Sequence, residues 1–310
     1  MKPLYLLTIA LLFLGISLSA QQLPYSSAFY DNGFAWNPGM TAHWNYLEVG
    51  ANYRQQWFGF EGAPRTALAR FQFPFVNLNM AAGAVLMHDV TGPLTHTSAM
   101  LTYAYRLRVG DDAQLSLGIS GTMGQFRIDP TNVKAKDPGD QLILNGEDTD
   151  FQFNAGVGLF FTSTADYRDD YSHFYAGIAA QQLLPNELKF DGASDLANFQ
   201  RELHGNAVIG YRNISDYSDL IVDPSVWVNF VGDVFLVTAN LKFELQRVFW
   251  LGAVAASDGT MGVQGGFIKE LGDGLLRIGM MGNFNLNSDL GSDQGFGYEF
   301  LVGYQFEVDY

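Results

Sequence analysis

From residue 45 to the C-terminus, the chain alternates apolar residues with small or polar ones at a period of two. Residues 47–54 place Leu47, Val49, Ala51 and Tyr53 on one face and Glu48, Asn52 and Arg54 on the other. Residues 101–107 set Leu101, Tyr103, Tyr105 and Leu107 against Thr102, Ala104 and Arg106. Residues 151–161 set Phe151, Phe153, Ala155, Val157, Leu159 and Phe161 against Gln152, Asn154, Gly156 and Gly158. Residues 235–243 repeat the arrangement, with Phe235, Val237, Ala239, Leu241 and Phe243 opposite Thr238, Asn240 and Lys242. Successive strand side chains point to opposite faces, so each segment has one greasy face and one polar face.

Fourteen such segments are expected, near 45–54, 65–74, 77–88, 96–107, 114–124, 150–162, 172–181, 201–211, 218–230, 234–245, 248–257, 260–270, 275–285 and 297–308. Most have about ten residues, the length of a tilted strand crossing hydrocarbon. Those near 77–88, 172–181, 218–230 and 260–270 alternate poorly, which leaves twelve strands as the other count. Pro224 lacks an N–H and predicts a bulge or break within 218–230. Short connections with turn formers, such as Gly110-Asp111-Asp112 and Gly272-Asp273-Gly274, predict one end of tight periplasmic turns. Longer ones at 55–64, 89–95, 125–149, 182–200 and 286–296 predict outer loops, with 231–233, 258–259 and 163–171 as exceptions to the rule.

The alternative of a soluble β-sandwich needs the polar faces to meet water. Here they are rich in Gly, Ala, Thr, Asn and Gln and poor in Lys and Glu, which suits a barrel lumen better. The fold class expected is therefore all-β, a transmembrane antiparallel β-barrel of about fourteen strands. Composition strengthens this. Charged residues make up 16% of the 310, while aromatics reach 15% with 25 Phe and 15 Tyr. The net charge of −15 lacks the basic footprint that nucleic-acid binding needs. There are no cysteines, which excludes a disulfide framework, a thiolate metal site and a lipidated N-terminal Cys.

Three regions follow. Residues 1–20 read as a signal peptide, with Lys2 before the apolar run Leu4–Leu18 and small Ser19-Ala20 before Gln21. Residues 21–44 are expected to form an N-terminal periplasmic segment that either tucks into the lumen or packs under it as a partial plug. Residues 45–310 form the barrel, placed in the outer membrane of a Gram-negative bacterium. Its surroundings there are outer-membrane lipid and lipopolysaccharide. At the C-terminus, Tyr298, Phe300, Val302, Tyr304, Phe306, Val308 and Tyr310 alternate to the last residue. Phe306, Val308 and Tyr310 make a terminal aromatic strand signal of the kind that barrel assembly machinery reads.

Candidate chemistry is sparse. His43, His88, His96, His173 and His204 form no zinc-binding spacing. Ser172-His173 are neighbours on a strand and point to opposite faces, so a hydrolase triad finds no support. Asp137, Asp140, Glu147, Asp148 and Asp150 form an acidic loop, read either as a calcium site or as a solvated loop. The alternation points Glu48, Arg54, Arg70, Arg106, Lys242, Glu244, Arg277 and Glu299 into the lumen. No catalytic residue, cofactor or metal is assigned, and no enzyme activity is expected.

One stretch carries a family likeness. Tyr53-Arg54-Gln55-Gln56-Trp57-Phe58-Gly59-Phe60-Glu61-Gly62-Ala63-Pro64-Arg65-Thr66 joins the first two segments. Upstream lie Tyr30, Phe34, Trp36 and Asn37-Pro38-Gly39, and downstream Gly92-Pro93 and Tyr103-Ala104-Tyr105-Arg106-Leu107. In this order they resemble the PorP/SprF family of outer-membrane proteins of the type IX secretion and gliding-motility apparatus of Bacteroidota. Asn37-Pro38-Gly39 stands where the family more often has Asn-Pro-Ala. The resemblance implies a non-catalytic barrel that works beside other secretion components and a periplasmic peptidoglycan-binding protein. It also implies secreted clients such as large adhesins, exported or held at the surface through their C-terminal domains. Asn37, Pro38, Arg54, Trp57, Phe58, Gly59, Phe60, Pro64 and Arg65 are the partner or loop candidates. The same residues also have a structural reading, with Trp57 and Phe58 as interfacial aromatics and Gly59 and Pro64 as loop formers. A passive channel or a transporter of hydrophobic substrates is the alternative function.

Overall fold

The computed structural model describes residues 29, 31–44, 46–129, 147–164, 171–185, 187–188, 199–215, 220–245, 247–286 and 295–307. The expected signal peptide, Tyr30, Asp137, Asp140, Val308 and Tyr310 lie outside them. None of the described helices is long and apolar enough to cross a membrane.

Fourteen strands follow in order: β1 (Tyr46–Gln55), β2 (Arg65–Phe75), β3 (Met80–Thr91), β4 (Leu94–Val109) and β5 (Ala113–Ile128). Next come β6 (Gln152–Thr162), β7 (His173–Gln181), β8 (His204–Ile214), β9 (Leu220–Val231) and β10 (Val234–Leu245). β11 (Phe249–Ala256), β12 (Thr260–Leu271), β13 (Gly274–Asn285) and β14 (Gly297–Glu307) complete the wall. Every strand is antiparallel to its sequence neighbours, and β14 pairs with β1, with Tyr53 opposite Phe300 and Arg54 opposite Glu299. This closure consumes both edges of the sheet, so no row of backbone donors and acceptors is left facing hydrocarbon. The count is fourteen, not twelve.

The alternation sets which face meets lipid. On β1, Val49, Ala51 and Tyr53 face outward while Glu48, Asn52 and Arg54 are buried in the lumen. On β14, Phe300, Val302 and Phe306 are exposed and Glu299 and Leu301 are buried. A soluble protein would lose solubility with so many exposed large apolar side chains; a bilayer solvates them. A concavity of about 810 Å³ lies on this outer wall, where Ala51, Ala67, Ala69 and Ala99 leave a hollow between Leu86 and Phe300.

Two details differ from the sequence reading. The β8–β9 ladder skips the pairs at Pro224 but resumes in the same register, from Gly210–Ser225 to Asn213–Val222. A bulge adds a residue to one strand, and none is added here. The missing N–H of Pro224 costs pairing on the β8 side only, since Pro224 stays opposite Leu241 of β10. The expected outer loop at 89–95 is instead a tight hairpin. β3 runs to Thr91 and β4 starts at Leu94, because Gly92 adopts φ +58°, the left-handed conformation that a two-residue turn requires.

Candidate functional site: an occupied lumen

Among the described residues before β1, Phe29 and residues 31–44 lie inside the barrel. Residues 31–44 fold back through the lumen as a four-residue helix, α1 (Gly33–Trp36), then a 3-10 turn (Pro38–Met40). Asp31 and His43-Trp44 sit toward the end where β1 begins, and Ala35-Trp36 reach farthest in, to Gln181, the last residue of β7. Phe29, Phe34, Ala35 and Met40 are buried with Leu68, Val85, Met100, Phe160, Tyr175, Val208 and Trp227 of the wall. Phe29 lies 4.6 Å from Trp227 between ring centroids, and Trp36 lies 6.0 Å from it.

A short segment without a sheet or long helix of its own has backbone groups to satisfy, and an unmet buried group is costly. The wall supplies partners. Gln181 Nε2 donates to the carbonyls of Ala35 at 2.9 Å and Trp36 at 2.7 Å, and Asn206 Nδ2 donates to Trp36 O at 2.9 Å. Gln72 Oε1 accepts from Ala42 N at 2.7 Å, and Arg106 donates to Ala42 O. Thr41 Oγ1 lies 2.7 Å from Pro38 O and 2.9 Å from Thr102 Oγ1.

Asn37 and Pro38 form the tightest part of the seat. Asn37 Oδ1 accepts from Gly39 N at 2.8 Å and caps the 3-10 turn, while Nδ2 donates to Leu159 O at 3.0 Å. The wall makes room with glycine. A Cβ on Gly118 of β5 would fall on the Pro38–Gly39 peptide, and one on Gly158 of β6 would fall on the Asn37 carboxamide. Glycine is here for close approach of backbone to backbone.

Below this seat lies a cluster of charges. Arg70 Nη2 pairs with Glu48 at 2.8 Å, and Gln72 Nε2 donates to the other Glu48 oxygen at 2.7 Å. Arg212 lies 3.6 Å from Asp223 and 3.8 Å from Glu244, and the Tyr175 hydroxyl donates to Asp223 at 2.8 Å. Asp31, from the inserted segment, meets Lys242 at 3.3 Å and Arg277 at 3.9 Å. Lys242 is also 4.7 Å from the Trp250 ring. Burial alone would raise the Asp31 pKa, but the charges of Lys242, Arg277 and Arg70 outweigh it and hold the carboxyl below its ordinary value.

The eight wall charges expected in the lumen all face it, with Arg277 the most exposed. Arg212, Asp223 and Asp31 were not among them. Arg212 shares the inward parity of Gly210 and Val208 on β8, a readable signal. Asp223 was hidden by the doubt over Pro224, and nothing local marks Asp31.

The nine partner candidates separate into three places. Asn37 and Pro38 sit in the lumen, and Arg54 is buried on β1. Trp57, Phe58, Gly59 and Phe60 form an exposed knuckle between β1 and β2, with Trp57 at φ +47° and Gly59 at φ +99°. Phe58 N donates to Phe296 O at 2.8 Å and its ring lies 5.9 Å from Tyr298, so the knuckle continues the outer aromatic face. Pro64 is buried where β2 starts, and Arg65 is exposed. In the acidic loop, Asp148 is committed to Arg127, at 2.6 and 2.9 Å. Among the described residues, no group of three or more His, Asp or Glu is placed to hold a metal ion.

Fourteen closed antiparallel strands, an apolar exterior and a polar, filled lumen define an outer-membrane β-barrel. The chain belongs to the PorP/SprF family: the model of the type IX secretion system membrane protein PorP/SprF matches residues 18–304. Among curated protein sequences, no relative matches it. Solved structures similar in fold include the toluene transporter TbuX of Ralstonia pickettii, with 8% identity, TM-score 0.53, and 89% of this chain and 93% of that one covered. A FadL homologue of Pseudomonas aeruginosa gives 9% identity, TM-score 0.51, and coverage of 87% and 92%. CdiB from Acinetobacter baumannii gives 8% identity and TM-score 0.48; 84% of this chain spans 60% of its length.

Proposed function

We propose that this type IX membrane component is a non-catalytic platform that supports export or cell-surface anchoring of secreted proteins such as large adhesins. The observation that carries this reading is the lumen filled by residues 31–44. A conduit needs a path, and the cavities that the described residues line beside the inserted segment measure about 50 and 60 Å³. The remaining working surfaces are the outer loops, with the Trp57-Phe58-Gly59-Phe60 knuckle, and the short-turn end. Exposed aromatics of that kind dominate binding energy at protein interfaces. On this reading the signal peptide is removed before Gln21, the outer loops engage a client's C-terminal domain, and the short-turn end meets a periplasmic peptidoglycan-binding protein.

Transport of hydrophobic substrates is the second reading, and the toluene transporter and FadL homologue share this fold. The apolar cavity lined by Ala35, Leu68, Val85 and Met100 speaks against it. At about 50 Å³ it is a third of the ~150 Å³ that holds a benzene ring. A tagged copy solubilised from its native outer membrane in mild detergent tests the proposal by mass spectrometry of co-purifying proteins. Recovery of a large secreted client or a peptidoglycan-binding protein is expected. A chain recovered alone, with steady conductance in bilayers, would overturn the reading in favour of a transporter.

A further inference from the structure

The chain as a whole is strongly acidic, yet the half of the lumen nearest the start of β1 carries the opposite sign. Five basic side chains of the wall point into it: Arg70, Arg106, Arg212, Lys242 and Arg277. Among the described residues, three acidic ones accompany them: Glu48, Asp223 and Glu244. Glu48 is matched to Arg70, Asp223 lies beside Arg212, and Glu244 lies between Arg212 and Arg277, 3.7 Å from the latter. The inserted segment adds counter-charge of its own. Its Asp31 carboxylate receives Lys242 and Arg277, and its Ala42 carbonyl receives Arg106. Removing charges from water is costly unless they meet opposite charge and hydrogen bonds. The segment therefore serves as counter-ion as well as stopper.

We infer that Lys242 and Arg277 form an anion site in the lumen, specific for carboxylates, which Asp31 occupies in the closed barrel and an external anion occupies once the segment is displaced. Two cations from β10 and β13 converge on one carboxylate oxygen of Asp31. The Trp250 ring, 4.7 Å away, also attracts the Lys242 ammonium. With the segment gone, a wall in which basic side chains outnumber acidic ones among the described residues, with low-dielectric sides, favours anions over cations.

The test is planar-bilayer recording from the full chain with Asp31→Arg, which sets three cations against one another and drives the segment out without altering a strand. Heat-modifiable migration on gels confirms that the barrel is folded. In a potassium chloride gradient, the expected currents reverse near the chloride equilibrium potential. Adding Lys242→Gln and Arg277→Gln to that variant moves the reversal toward zero. Glutarate, a small dicarboxylate, reduces chloride current through the single variant and not through the triple variant. A folded Asp31→Arg barrel that stays silent, currents that select potassium, or currents indifferent to glutarate would each overturn the inference. Recordings from Asp31→Asn, which removes the charge with little change of shape, give the same signs with rarer openings.

Discussion

On the side of β11 to β14, the lumen is packed by the wall's own residues, whereas on the side of β2 to β9 it is packed by Phe29 and residues 31–44. In the first region Trp250, Val254, Ile268, Met281 and Leu301 form a cluster of buried side chains. Gly266 and Gly279 accommodate the Trp250 indole, since a Cβ at either would collide with it. In the second region the wall lends Val85, Met100, Phe160 and Trp227, but the filling comes from Phe29, Phe34 and Met40. One packing is permanent, because its members are fixed in a closed sheet. The other is held by one covalent tether, a set of hydrogen bonds worth about 1 kcal/mol each and two ion pairs. Stability should therefore depend on the first region, and closure on the second.

The largest expected effect comes from breaking the permanent packing. Trp250→Ala removes a fully buried side chain and should destabilise the folded barrel by about 3–5 kcal/mol. Equilibrium unfolding in urea with lipid vesicles measures this, and bilayer recordings should show the lumen still closed. Gly118→Val should do the reverse. It overfills the Asn37-Pro38 seat, costs about 1–3 kcal/mol, and should open the lumen while the fourteen strands keep their unfolding midpoint to within that margin.

A smaller effect comes from pH. The Asp31 carboxyl is held below its ordinary value, so its contribution to seating is complete above the usual aspartate range, about pH 4. It is lost as pH falls through the depressed value. Open probability should rise on acidification below about pH 4 in the native chain and much less in Asp31→Asn. Smallest of all, Trp57→Ala and Phe60→Ala should change barrel stability by no more than about 0.5 kcal/mol. Both side chains are half exposed, at 49%. On the proposed function, the same variants should still reduce recovery of secreted clients in the pull-down.

The two regions also differ in how far the sequence exposes them. Strand positions and facing were legible because a period of two is local. Glu48, Arg70 and Lys242 declare their side by their neighbours. The left-handed turn at Gly92 was not, because Gly-Pro suits loops of several lengths and the flanking Asp89, Thr91 and Thr95 break the apolar pattern. The seat of the inserted segment was least legible. Contacts such as Gln181 to Ala35 span 146 residues, and no periodicity reports them. Gly118 and Gly158 look like any other small lumen residue until Asn37-Pro38 is placed against them. The exposed knuckle at Trp57 stood out by composition, yet its separation from Asn37 and Arg54 followed only from the closed wall between them.

The most direct test of the account is single-channel conductance of the native chain against a variant lacking residues 22–40, both confirmed as folded by heat-modifiable migration. Closure by the inserted segment predicts a silent native barrel and a conducting truncated one. Equal conductance from the two would contradict it, and would mean that residues 31–44 do not stop the lumen they occupy.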